Sequence, residues 1–266
     1  MRTIVYGNGK SRQKWNVVLY CEICNEKLDD VVTWGCNRIF NDVKVDNLVA
    51  VDYWVQHLVY ESGYALNNRC WFADWTVLPP SFTGIPIYPV NPYPKNFKEG
   101  HLPVTENERT EYGCVVNGRY LGEHKGIVIT WVQEKDMVTD VVQPREWSAG
   151  TTALYLACQQ GAKDIYLMGF DLDENPLNNM YLEGKKDQMP ENPDSFCQRL
   201  DWAQQLKEVF GKNPNVNFTW VEPSDNTKNF WEKNLIYNTY DEREVIFKFN
   251  NLTYDTYENI RRNICR

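Results

Sequence analysis

Histidine is almost missing from this chain: His57, His101 and His124 are the three in 266 residues. That scarcity argues against a zinc site completed by a histidine pair. Cys21-x-x-Cys24 has the spacing of a zinc half-site, but neither a second CxxC nor a closely spaced histidine pair follows it. Basic residues are also in deficit, 28 Lys and Arg against 36 Asp and Glu, for a net charge of −8. Such a balance excludes broad electrostatic capture of nucleic acid or anionic membrane, while a local basic cleft stays open. There is no run of about 18 apolar residues and no leader with an apolar core, so a soluble cytoplasmic chain without a membrane span is expected. Neither an internal repeat nor a low-complexity linker is present. The eight cysteines are scattered, and Cys36, Cys70 and Cys158 lie in apolar runs, as reduced core thiols do. The sequons at Asn217 and Asn251 matter only in a secreted chain.

What is present centres on Trp147 to Leu172, WSAGTTALYLACQQGAKDIYLMGFDL. Ser148, Ala149 and Gly150 open a helix, and Thr151 and Thr152 are placed to serve the exposed N–H groups of its first turn. Ala153, Leu154, Leu156, Ala157 and Cys158 recur at helical spacing, and Gly161 is the stop. Asp164 to Met168 is a short apolar run of the kind buried in a parallel sheet. Gly169-Phe170-Asp171 then delivers a carboxylate to the C-terminal end of that strand, where open α/β sheets bind ligands.

At the N-terminus Thr3 to Tyr6 is a strand running into Gly7-Asn8-Gly9-Lys10-Ser11. The glycines allow close backbone approach, Asn8 and Ser11 offer hydrogen bonds, and Lys10 and Arg12 offer charge. Such loops hold phosphate or ribose, although a tight turn has the same composition and the spacing is neither a P-loop nor the full dinucleotide fingerprint. Val31 to Trp34 and Leu48 to Val51 predict further strands, ending at Asn37 and Asp52. A rim built from Asn8, Asn37 and Asp52 is expected, in an α/β, Rossmann-like fold with a mainly parallel sheet flanked by helices.

Other segments are secondary to that frame. Tyr53 to Tyr60 predicts a helix in which His57 packs, and CWFADW a fourth strand. Residues 78–110 are proline-rich and aromatic, an extended covering loop from which His101 could reach the site. Asn117-Gly118 signals a hairpin, with His124 in the same region, and Val128 to Val132 a strand. Residues 172–194 are a polar candidate lid carrying Lys185-Lys186. Ser195 to Phe210 predicts a helix with Ser195 as cap and Gly211 as stop, followed by a strand at Val216 to Val221. VIFKF predicts a strand and YENIRRNICR a short helix. Residues 1–222 are thus expected to form the nucleotide-binding domain, with 223–266 an extension packed on it. Most of the 10 Trp and 16 Tyr belong to core, with one or two suited to stacking on a base or sugar.

The GNGKS loop, Cys36-Asn37 and SAG…GAKDIYLMGFD together resemble bacterial family-42 sialyltransferases. Archaeal hydroxymethylpterin diphosphokinases are similar at the same places, as are uncharacterised bacteriophage proteins. The resemblance covers the first fifty residues and the central unit. It implies a Rossmann-like domain with a lid and a cytidine-monophosphate sugar donor. Gly7, Asn8, Gly9, Ser11, Asn37, Ser148, Gly150 and Asp171 then fall at the nucleotide. The family's base histidine has no counterpart after His124, which leaves a carboxylate such as Asp52 or Asp173 for that role. Of the family's two phosphate-binding tyrosines, the first position holds Asp173, and Tyr181 is the second.

Three functions are therefore carried forward. The first is glycosyl transfer from a nucleotide-sugar to an acceptor, needing no metal and using Asp52, Asp173 and Tyr181. The second is magnesium-dependent diphosphate transfer to a pterin-like acceptor. The third is a nucleotide-binding or interaction protein without catalysis. Oligomerisation is compatible with each.

Overall fold

The computed structural model describes residues 1–14, 31–52, 55–56, 58–59, 62–73, 87–89, 114–116, 119–120, 127–132, 139–143, 147–172, 179–181, 195–235 and 249–264. The chain forms two compact units, Met1–Trp34 with Ala153–Arg266, and Gly35–Thr152.

In the first unit β1 (Arg2–Tyr6) pairs in parallel with β10 (Asp164–Met168), Thr3 opposite Ile165 and Tyr6 opposite Met168. β10 pairs in parallel with β11 (Asn217–Val221), and β11 with β12 (Leu252–Asp255). Ile4, Val5, Ile165 and Leu167 have no exposed surface, as expected for strands covered on both faces. Parallel neighbours require crossovers, and helices supply them. α2 (Ala149–Gln159) leads into β10, α3 (Ser195–Lys212) joins β10 to β11, and α4 (Asp225–Leu235) joins β11 to β12. α5 (Tyr257–Ile264) follows β12. Ala203, Leu206, Val209 and Phe210 form the buried stripe of α3. Phe210 lies 4.6 Å from Phe218 and 5.9 Å from Trp231, so α3, β11 and α4 share one aromatic core.

β2 (Val31–Cys36) carries the chain from the first unit into the second. There β3 (Asn47–Ala50) pairs in parallel with β4 (Cys70–Ala73), and the four-residue helix α1 (Tyr64–Asn67) precedes β4. β8 (Ile127–Val132) and β9 (Thr139–Gln143) add antiparallel strands. A separate small sheet holds β5 (Ile87–Pro89), β6 (Cys114–Val116) and β7 (Arg119–Tyr120). β1 to β4 and β10 to β12 run parallel, so the fold is the expected α/β, Rossmann-like arrangement.

Several local expectations are revised. The cap of α2 is Ser148, whose Oγ accepts the Thr151 N–H at 3.3 Å, rather than either threonine. α3 runs through Gly211 to Lys212, and Asn213 Nδ2 closes it on Val209 O at 2.7 Å. The proline-rich segment contributes a strand, β5. Val116 opposite Arg119 is the register that Asn117-Gly118 predicts. Gly161, at φ +84°, ends α2 as expected. Cys36, Cys70 and Cys158 are free and buried, and burial pushes the Cys158 thiol up to about 12. No described helix is long and apolar enough to cross a membrane. The VIFKF segment apart from Phe249, and the lid apart from Leu172 and residues 179–181, lie outside the described residues.

Candidate functional site

The first unit gathers its polar groups where β1, β10, β11 and β12 end. Gly7 N donates to Met168 O at 2.7 Å and Gly9 N to Gly169 O at 2.9 Å, so the glycine loop runs against the turn after β10. A Cβ on Gly7 would lie 2.3 Å from Gly169 O, and one on Gly9 2.4 Å from Asp171 Oδ2. Close approach does require these glycines, and the surface approached is the β10 turn. Ser11 follows in a 3-10 turn, Lys10–Arg12. Its N–H donates to Asp171 Oδ2 at 3.0 Å and its hydroxyl to Asp171 Oδ1 at 2.5 Å. Two residues expected at the nucleotide thus hold each other, and hold the loop.

Asn8 is different. Its Oδ1 is buried and has no hydrogen-bond partner among the described residues. Buried acceptors are nearly always satisfied, so this atom calls for a donor beyond the described residues. The Asn8 backbone is tied down independently, since its carbonyl accepts Met180 N–H at 2.9 Å. Gly9 also bridges antiparallel to Asn179, which lays residues 179–181 along the loop.

Tyr181 comes to the same place. Arg12, with no exposed surface, donates from Nη2 to the Tyr181 hydroxyl at 2.7 Å. Behind the loop stands Tyr257 of α5, buried, with its hydroxyl close to Ser11 and Asp171. Burial pushes its phenol well above the ordinary value. The nearby charges of Asp171 and Glu222 add to that, and Ser11 and Arg12 oppose it. Glu222, at the end of β11, adopts φ +39° and accepts Tyr257 N–H at 3.1 Å and Lys14 Nζ at 2.9 Å. Neither Glu222 nor Tyr257 was expected. The only sequence signal was a carboxylate at the end of the NFTWV run, the same pattern as Asp171 after DIYLM.

In the second unit Asn37 ends β2 at φ +52°, and its Oδ1 is likewise buried and without a partner among the described residues. Asp52 follows β3, and its carbonyl accepts Val55 and Gln56 N–H, each at 3.0 Å, which makes it the cap of the next helical turn. Partial desolvation raises its carboxyl above the usual value, although the residue keeps access to solvent. Ser148 caps α2 and Gly150 sits in its first turn. Asn8 belongs to one unit, and Asn37, Asp52, Ser148 and Gly150 to the other.

Asp173, Lys185-Lys186, Cys21, Cys24 and the three histidines lie outside the described residues. Among the described residues no group of three His, Cys, Asp or Glu is placed to hold a metal. No protein-family model, curated protein or solved structure matches the chain.

Proposed function

We propose that the protein transfers a sugar from a nucleotide-sugar of the cytidine-monophosphate type to an acceptor hydroxyl. The observation that carries this is Asn8 Oδ1, a buried acceptor lacking a partner among the described residues, in a glycine loop at the end of a parallel strand. A nucleoside supplies the N–H or O–H that such an atom wants. The donor phosphate then lies along the same loop, within the sphere of Tyr181.

In a single displacement the acceptor oxygen bonds to the anomeric carbon as the carbon–oxygen bond to phosphate breaks. The electron pair leaves with the nucleoside monophosphate, which Tyr181 stabilises by donating a hydrogen bond. The acceptor proton passes to a carboxylate, for which the sequence offers Asp173 beside the same unit's strand end. No step calls for a metal.

A thermal-shift series with CMP, CDP, UDP, GDP and ATP, each with and without magnesium, tests this. CMP is expected to stabilise the protein without magnesium, by about 2.7 kcal/mol at a hundred times its Kd. Stabilisation by ATP only with magnesium would favour diphosphate transfer instead. Affinity for CMP with no turnover of any CMP-sugar would leave a binding module. No shift with any nucleotide would remove the site.

A further inference from the structure

We propose that Arg12 is a positioning residue for Tyr181, directing the tyrosine hydroxyl at an anionic phosphate oxygen. This rests on the β1 loop being a nucleotide site. Arg12 has no exposed surface, and its guanidinium carries five N–H donors in a planar fork. Its Nη2 donates to the Tyr181 hydroxyl at 2.7 Å, with Met180 Sδ 3.3 Å from the same nitrogen. Its central carbon lies 5.9 Å from the ring centroids of both Tyr6 and Tyr181, so aromatic faces define its slot. Because the phenol oxygen accepts from Arg12, the phenol hydrogen points away from Arg12. The adjacent cation also makes that hydrogen a stronger donor. A donor so polarised and so fixed suits an oxyanion better than a neutral acceptor. The backbone supplies the remaining constraint, since the Asn8–Met180 hydrogen bond and the Gly9–Asn179 bridge hold Tyr181 beside the glycine loop. Arg12 acts through Tyr181 and not on the substrate.

A double-mutant cycle tests this, read as the ratio of the Kd for cytidine to that for CMP, which isolates the phosphate. The variants are Tyr181→Phe, Arg12→Lys, Arg12→Gln and the doubles, with binding measured by calorimetry. Each single substitution should lower the ratio about tenfold, the size expected of a hydrogen bond to a charged group. Each double should fall no further than its worse single, the signature of two residues acting as one. Additive losses, or a ratio unchanged in either single, overturn the role of Arg12 and leave the nucleotide site standing. Parent protein that binds neither ligand overturns the nucleotide reading and the proposal with it, and equal affinity for both overturns the phosphate contact alone. Should Arg12→Lys not fold, Arg12→Gln, which keeps an N–H donor, completes the cycle. Tyr181→Phe with an unchanged ratio overturns the proposal by itself.

Discussion

Ser11 and Asp171 are 160 residues apart and joined by two hydrogen bonds, from the Ser11 N–H and from its hydroxyl, one to each carboxylate oxygen. The contact fastens the loop after β1 to the turn after β10. Hydrogen bonds to a charged group contribute about 1.5–3 kcal/mol each, less when part-buried. Asp171→Ala should therefore lower stability by about 3 kcal/mol in urea unfolding, and Asp171→Asn by less, since one oxygen is kept. An Asp171→Ala protein as stable as the parent would mean that the loop is held by other contacts.

The glycines of this region divide by cause. At Gly7 and Gly9 a methyl group would meet Gly169 O at 2.3 Å and Asp171 Oδ2 at 2.4 Å, on two loops already fixed to each other. At Gly161 nothing lies within 4 Å, and only φ +84° opposes a side chain. Gly161→Ala should cost about 1 kcal/mol. Gly7→Ala and Gly9→Ala should cost about 3 kcal/mol or more, because the core around them cannot yield cheaply. Thermal unfolding of the three variants gives the order directly. Equal losses would contradict it.

Asp52 sets a pH-dependent prediction. Burial raises its folded-state pKa above the unfolded value, so the folded protein binds the proton more tightly. Stability from this group is complete below the unfolded pKa, about 3.9, and declines as pH rises through the folded one. At neutral pH the carboxylate is thus a burden. Asp52→Asn, which serves equally well as a helix cap, should raise the melting temperature at pH 7 and lose that advantage below about pH 3.9. A lower melting temperature at pH 7 would show that the charge is stabilised by partners instead.

The parts of the fold legible in sequence are those whose local signals agree with their burial. Gly161, the DIYLM run and Gly169-Phe170-Asp171 form such a stretch, because a strand covered on both faces must be apolar throughout. α4 was not legible. Its sequence, DNTKNFWEKNL, is polar on average, and of the side chains described on it Thr227, Phe230 and Trp231 are the buried ones. Its real signal was the cap, since Ser224 Oγ accepts Thr227 N–H at 3.1 Å. β12 escaped for a related reason. It is a four-residue strand at the end of the sheet order, with Thr253 and Tyr254 exposed. At the site, Ser11 and Asp171 were each identified from strand ends, but that they hold each other follows only from the pairing of β1 with β10. Glu222 and Tyr257 depend on β11 and α5 in the same way.

Asn8 yields the sharpest separation of stability from function. A buried acceptor left without a partner costs the folded protein about 1–3 kcal/mol of desolvation. Asn8→Ala removes that atom and leaves the backbone carbonyl that holds Met180. The variant should be at least as stable as the parent in the absence of ligand, since the lost packing of a half-buried side chain is offset by the vanished orphan. It should also bind CMP about tenfold more weakly, because the donor from the nucleoside loses its acceptor. Asn37→Ala removes a similar orphan in the other unit, but alanine tolerates φ +52° less well than asparagine, so that variant should melt lower than Asn8→Ala by about 1 kcal/mol of stability. Melting temperature without ligand and Kd for CMP, measured on the same preparations, decide both. Lower stability with unchanged affinity would make Asn8 a structural residue of the turn and move the nucleotide elsewhere.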